Sequence, residues 1–244
     1  MGSNHCTKTW ARRFVLTACI VAVGFSAGAA EPVQTIQEIL EKVENHYKNV
    51  PAYTAFFLQT TASAASALTT EASGKLYYQK PKQMRWEYEA PEVQTFVVNN
   101  NLAWLYVPQE RQISLFDART FFSSALARAF FEGVFELKKQ FQVALDHGQS
   151  NSSQVTLILT PKEEDPHIQS LRLSIDLQSY RILSAETRDA LGNTNRVVVQ
   201  NQREKPALDP KFFELEVPPA TTVIDREGRE LSPAEVQQLR QNLK

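Results

Sequence analysis

The chain has 244 residues, 43% hydrophobic and 22% charged, with 26 Lys and Arg against 27 Asp and Glu. That composition excludes a disordered chain and a bundle of membrane-spanning helices, and the lack of excess positive charge argues against nucleic acid as a partner. Both cysteines, Cys6 and Cys19, lie in the first thirty residues, so the rest of the chain has no thiol for a disulfide and must draw its stability from a packed core.

Residues 1–30 read as a secretory signal peptide. Lys8, Arg12 and Arg13 precede an apolar run from Phe14 to Phe25, and the small residues Ser26 to Ala30 follow. The run is too short for a good membrane span, and Ala27-Gly28-Ala29 or Gly28-Ala29-Ala30 offers a cleavage site, so the mature chain is expected to begin at Ala30 or Glu31. Loss of the leader takes 26 bases to 23 while the 27 acids remain, a net charge of about −4. A competing reading takes Leu16-Thr17-Ala18-Cys19 as a lipobox with a lipidated Cys19. It leaves a very short hydrophobic region before the cysteine and an apolar stretch after it, which favours the soluble product.

From Val33 to Tyr47 the residues Val33, Ile36, Ile39, Leu40, Val43 and Tyr47 recur at helical spacing, predicting an amphipathic helix that ends before Pro51. The period then changes to two. Leu76 and Tyr78, then Met84, Trp86 and Tyr88, then Trp104 and Tyr106 alternate with polar residues, as strands with one apolar face do. Lys80-Pro81-Lys82, Ala90-Pro91-Glu92, Asn99-Asn100-Asn101 and Pro108-Gln109-Glu110 punctuate these runs at hairpin spacing, so an antiparallel meander is expected.

Phe121, Phe122, Leu126, Phe130, Phe131, Val134 and Phe135 then recur at roughly helical spacing and predict one or two short helices interrupting the sheet. Strands resume at Val155 to Leu159, Leu171 to Leu177, Ile182 to Arg188 and Arg196 to Gln202, with a Gly-bearing hairpin turn at Asp189 to Asn193. Beyond Asp225, Ser232-Pro233 opens a short polar helix running to Lys244, expected to be a loosely attached tail. No internal repeat or linker divides the chain after its leader. One β-rich domain with helices on one side follows, its long sheet curled toward a closed or nearly closed barrel that limits exposed edges.

Residues for chemistry are sparse. His46, His147 and His167 are the histidines beyond the leader, and none stands in a recognisable nucleophile motif. Glu163, Glu164 and Asp165 crowd one turn without the acid-and-glycine spacing of a calcium loop or a histidine partner, so a solvated loop is expected there. Eight glycines in the whole chain leave little material for a phosphate-cradling loop. No catalytic residue, metal or cofactor is expected. The aromatic strand faces and the Phe-rich insertion, taken as pattern alone, are compatible with an ordinary core under helices.

The run Gly74-Lys75-Leu76-Tyr77-Tyr78-Gln79-Lys80-Pro81, followed by Met84-Arg85-Trp86-Glu87-Tyr88 and Pro91, resembles the outer-membrane lipoprotein carrier family, LolA. The likeness continues through Gln94 to Val98, Trp104-Leu105-Tyr106 and Pro108. It extends to Asp189 with Gly192, to Asp209-Pro210 before Phe212-Phe213, and to Pro218-Pro219 before Val223, covering about Ile36 to Asp225 in consistent order. The resemblance implies a mainly β fold with helices, an unclosed antiparallel β barrel (half-barrel) covered by a helical lid, over residues 31–225, with the polar tail helix at 226–244.

It further implies a non-catalytic periplasmic chaperone, a monomer. The chaperone would take triacylated lipoproteins from an inner-membrane lipoprotein-releasing ABC transporter to an outer-membrane lipoprotein receptor. Leu76, Tyr78, Lys80, Met84, Trp86, Tyr88, Phe96 and Trp104 would line the acyl-chain cavity, and Phe121, Phe130 and Phe131 would belong to the lid. A related barrel that senses lipoprotein, or carries another lipid or a glycolipid, is the alternative.

Two departures from the family pattern stand out. Lys80-Pro81 replaces an Arg-Pro whose arginine bonds the lid. By strand parity Lys80 shares a face with Leu76 and Tyr78, but it lacks a planar fork of donors, so it is expected either to make a weaker latch or to snorkel at the strand end. Asn99-Asn100 stands where the family has Asp-Gly. Asn tolerates the left-handed conformation, so the hairpin is expected to survive.

Overall fold

The computed structural model describes residues 34–118, 137–165 and 168–242. The expected leader, the lid residues Phe121, Phe130 and Phe131, and His167 lie outside the described residues. Among the described residues twelve strands form one sheet: β1 (Ala52–Ala62), β2 (Thr69–Gln79), β3 (Gln83–Ala90), β4 (Gln94–Asn99), β5 (Leu102–Val107), β6 (Gln112–Asp117), β7 (Phe141–Leu145), β8 (Gln154–Pro161), β9 (Ser170–Asp176), β10 (Ile182–Arg188), β11 (Thr194–Lys205) and β12 (Thr222–Ile224). Their order is β12-β6-β5-β4-β3-β2-β1-β11-β10-β9-β8-β7, antiparallel throughout except where β12 runs parallel to β6. β12 and β7 end the sheet without pairing to each other, so the barrel is unclosed, as expected from the family likeness.

Turn chemistry fixes the register of the hairpins. Asn100 takes φ +56 between β4 and β5, the left-handed conformation that asparagine accepts more readily than most side chains. Between β10 and β11, the Asp189 carboxylate accepts from the main-chain N–H of Leu191 and of Asn193, both at 2.9 Å, and Gly192 supplies φ +85.

Helix α1 (Ile36–Asn49) begins with a capping box. The Thr35 hydroxyl accepts from the Glu38 N–H at 3.2 Å, and the Glu38 carboxylate accepts from the Thr35 N–H at 2.8 Å. Its apolar stripe, Ile39, Leu40 and Val43, is buried on the inner face of the sheet against Phe141, Leu157, Leu159, Leu171 and Leu173. A second cluster continues this face around Tyr53, Phe57, Leu76, Tyr78 and Met84.

The outer face of β4–β6 is covered by the C-terminal segment, which differs from two expectations. The helix α2 (Pro233–Asn242) does not hang loosely, because its Val236 and Leu239, with Leu231 just before it, pack on the outer face, and Val236, 6% exposed, joins Phe213, Leu215 and Val223. Nor do the helices share one side of the sheet, since α1 lies on the inner face and α2 on the outer. A short helical turn, Pro210–Phe213, is held to the strands by side chains. Gln79 Oε1 accepts from Leu208 N at 2.7 Å, Arg85 Nη1 donates to the Phe212 carbonyl at 3.1 Å, and Asn99 Nδ2 donates to the Phe213 carbonyl at 2.9 Å.

Candidate functional site

The candidate site is the inner face where β1, β2, β3, β4 and β11 run side by side. Period-two alternation and cross-strand register assemble it in rows. Tyr53, Tyr78, Met84 and Val98 face one another across β1 to β4; Leu76, Trp86 and Phe96 form the next row; Phe57, Gly74 and Tyr88 the third. Gly74 is what lets the third row close. The register shifts between Ser73 and Gly74, and a Cβ at Gly74 would lie 1.8 Å from the Glu87 carbonyl oxygen. With no side chain between them, Phe57 meets Tyr88 edge-on at 5.0 Å between centroids and Trp86 at 4.5 Å.

The face divides into two zones. Nearest the C-terminal end of α1, Tyr53, Leu76, Tyr78 and Met84 are all buried, packed with Tyr47 and Val50, and Tyr53 stacks on Tyr78 at 5.0 Å. Burial pushes the Tyr78 hydroxyl up to about 12 and raises Tyr53 strongly as well. Further along the strands Trp86, Tyr88, Phe96, Val197 and Val199 are only half-buried, over a floor that includes the fully buried Phe57. This second zone is the part of the face with apolar surface to offer a ligand.

Beyond it the face turns polar. The Tyr88 hydroxyl donates to Gln59 Oε1 at 3.0 Å, and Gln59 Nε2 donates to Asn195 Oδ1 at 3.0 Å. Burial raises the Tyr88 hydroxyl above its ordinary value, so it stays a protonated donor.

Lys80 sits at the opposite, closed end. Its ammonium donates to the main-chain oxygens of Tyr47 and Lys48 in the last turn of α1, the first of which also accepts from the Val50 N–H at 3.3 Å. Burial lowers its pKa, yet the carbonyls and the negative end of the helix favour the cation. The same turn is fixed by the Tyr47 hydroxyl, which accepts from Ile182 N at 3.0 Å.

The sequence-predicted cavity residues therefore separate. Trp86, Tyr88 and Phe96 come together on the half-open zone, Leu76, Tyr78 and Met84 form its closed end, and Lys80 engages α1. Trp104 does not join them. It pairs with Val97 on the outer face, 3% exposed among Ile113, Leu115 and Phe213, because the two-residue Asn100-Asn101 turn sets Ala103, not Trp104, on the inner face. Phe57, Val197, Val199, Gln59 and Asn195 are site residues that the sequence reading does not single out. The alternation Tyr53, Ala55, Phe57, Gln59 on β1 carries the signal.

Of the histidines, His46 has its Nε2 3.7 Å from a Glu204 carboxylate oxygen on the far side of α1, and His147 is exposed in the turn after β7. Among the described residues no cluster of His, Cys, Asp or Glu is placed to hold a metal.

The profile of the family described as outer membrane lipoprotein carrier protein LolA matches residues 48–216. Similar curated proteins include the outer-membrane lipoprotein carrier protein of Pseudomonas aeruginosa (strain UCBPP-PA14), 26% identical over 219 residues, which are 87% of this chain and 99% of that one. The outer-membrane lipoprotein carrier protein of Hahella chejuensis is 28% identical over 177 residues, 72% of this chain and 83% of its own. Among solved structures, an uncharacterized conserved protein from Thermus thermophilus superposes with a TM-score of 0.51 at 16% identity, covering 79% of this chain and all of that one, a likeness of fold. The profile match, which takes in every strand from β1 to β11 and the Pro210–Phe213 turn, establishes that the chain belongs to the LolA family of outer-membrane lipoprotein carriers.

Proposed function

We propose that the protein is a periplasmic carrier that holds the acyl chains of lipoproteins against the half-open zone of its inner face, without covalent chemistry. It takes them from the inner-membrane lipoprotein-releasing transporter to an outer-membrane receptor. The observation that carries this reading is the tract of half-exposed Trp86, Tyr88, Phe96, Val197 and Val199 on the inner face of an unclosed barrel, in a chain of this family. Each methylene kept from water is worth about 0.8 kcal/mol, so a long acyl chain crossing the periplasm bare forfeits on the order of 10 kcal/mol. Non-directional apolar contact suits a carrier that must also let go. No helix among the described residues is long and apolar enough to cross a membrane.

The test is to add the purified protein to spheroplasts that retain newly made triacylated lipoprotein. The carrier reading expects lipoprotein in the soluble fraction, bound one to one. Lipoprotein that stays with the membrane at every concentration contradicts it. Recovery of a glycolipid or another lipid in its place, identified by mass spectrometry, shifts the reading to a related barrel with different cargo.

A further inference from the structure

We propose that Tyr88, Gln59 and Asn195 form a neutral polar margin that binds the ester and amide carbonyls at the root of the acyl chains, and so sets which way round the cargo lies. This deepens, and rests on, the carrier reading of the same groove. The three residues belong to β3, β1 and β11, and their side chains link across the inner face, with Tyr88 reaching past β2 at the position where Gly74 offers no side chain.

The hydrogen bonds run one way. Tyr88 spends its single proton on Gln59 Oε1, Gln59 spends an amide proton on Asn195 Oδ1, and Asn195 Nδ2 has no acceptor among the described residues. Asn195 is exposed, so a chain polarised in this way presents N–H donors at its end, where a ligand acceptor can take the place of water.

Position and charge narrow the acceptor. Gln59 follows Phe57 by two residues on β1, and Asn195 precedes Val197 by two on β11, so each amide sits one step, about 7 Å, beyond an apolar residue of the groove. The acceptor therefore belongs directly beside a hydrocarbon chain. The three margin residues are all uncharged, and by strand parity their charged neighbours Arg196 and Glu186 face outward. Neutral donors suit a carbonyl, whereas a phosphate would call for a cation. An acylated, glyceryl-modified N-terminus carries such carbonyls where its chains begin.

The test uses two synthetic probes of equal chain length. One is a tripalmitoylated cysteinyl peptide with two ester carbonyls and one amide carbonyl on its chains; in the other those carbonyls are reduced to methylenes. Affinities are measured by titration with the wild-type protein and with Asn195→Leu and Asn195→Asp, the latter nearly isosteric, each checked for native circular dichroism. The wild type should prefer the carbonyl probe by about fivefold to tenfold, the scale of one net hydrogen bond. Both variants should lose the preference, binding the two probes within about twofold of each other. Retention of the preference by either folded variant overturns the inference, as does equal binding of both probes by the wild type. Binding of neither probe by the wild type overturns the carrier reading itself.

Discussion

The Lys80 ammonium donates to the main-chain oxygen of Tyr47 at 2.5 Å, tying the end of β2 to the last turn of α1, 33 positions earlier in the chain. A second bond, to the Lys48 carbonyl at 2.8 Å, engages the next acceptor at the helix's C-terminal end. A lysine serves here without the planar fork of an arginine, because two carbonyls converging on one point match a compact ammonium. Lys80→Met keeps the aliphatic stem and removes the donors. It should lower stability by about 1–2 kcal/mol, read as a lower urea midpoint at unchanged slope. An unchanged midpoint would mean that the lysine merely snorkels.

Stability should fall in mild acid through His46. Burial holds its pKa below the ordinary value, outweighing the raising effect of Glu204, and Arg181 lowers it further. Between the folded and unfolded values the unfolded chain binds the extra proton. Stability is therefore at its plateau above the unfolded value, declines as pH drops through that window, and levels off below the folded value. Asp176, Asp189 and Glu235 have lowered pKa values, so their contributions are lost only at lower pH. Urea midpoints between about pH 7.5 and 5.5 should show the decline, and His46→Gln should flatten it.

Gly74→Ala should both destabilise the sheet and weaken ligand binding. The new methyl would meet main-chain atoms of Glu87 and Tyr88, which cannot swing aside as a flexible side chain does, for a cost of about 1–3 kcal/mol. The strands must part, and with them Phe57 and Tyr88. A thermal scan and an acyl-probe titration on the same variant should both shift; wild-type values in both would show that the close approach is dispensable.

Asn99→Ala tests whether the C-terminal segment is part of the fold. Asn99 is buried, donates to the Phe213 carbonyl and accepts from Gln83 Nε2 at 3.1 Å, so truncation leaves buried polar groups unpaired at a cost of about 1–3 kcal/mol. Hydrogen exchange should speed up at Leu231 and Val236 amides, which now bond to Val223 and Ser232 carbonyls, while β8 and β9 exchange as before. Uniform acceleration throughout the sheet would contradict a local anchor.

How much of the fold is legible in the sequence depends on how many faces each strand has to bury. The β2 and β3 strands announce themselves because their outward residues, Lys75, Arg85 and Glu87, are charged and alternate with Leu76, Trp86 and Tyr88. β4 and β5 are covered on both faces: Val97 and Val98 are both buried, as are Ala103 and Trp104, so alternation cannot tell inner from outer and misplaces Trp104 in the cavity. β1 escapes notice for the opposite reason. Phe56 and Leu58, each 47% exposed on the outer face, flank the buried Phe57 and fill the polar half of the pattern. Parity places Lys80 on the correct face, but its partner is the end of α1, a pairing across 33 residues that no local pattern encodes. The polar margin is invisible in the sequence because Gln59 and Asn195 lie on strands that become neighbours only when the two halves of the chain meet at the β1–β11 pair.

On the carrier reading, acyl chains lie on the inner face, beside Trp86, and not on the outer face, where Trp104 is packed under the C-terminal segment. The chain has three tryptophans, and with Trp10 replaced by Phe these two report on opposite faces. Quenching of tryptophan fluorescence by a lipopeptide with brominated acyl chains reads proximity directly. Quenching should be strong in Trp104→Phe, where Trp86 remains, and slight in Trp86→Phe. Quenching of Trp104 alone, or of neither under saturating ligand, would contradict it.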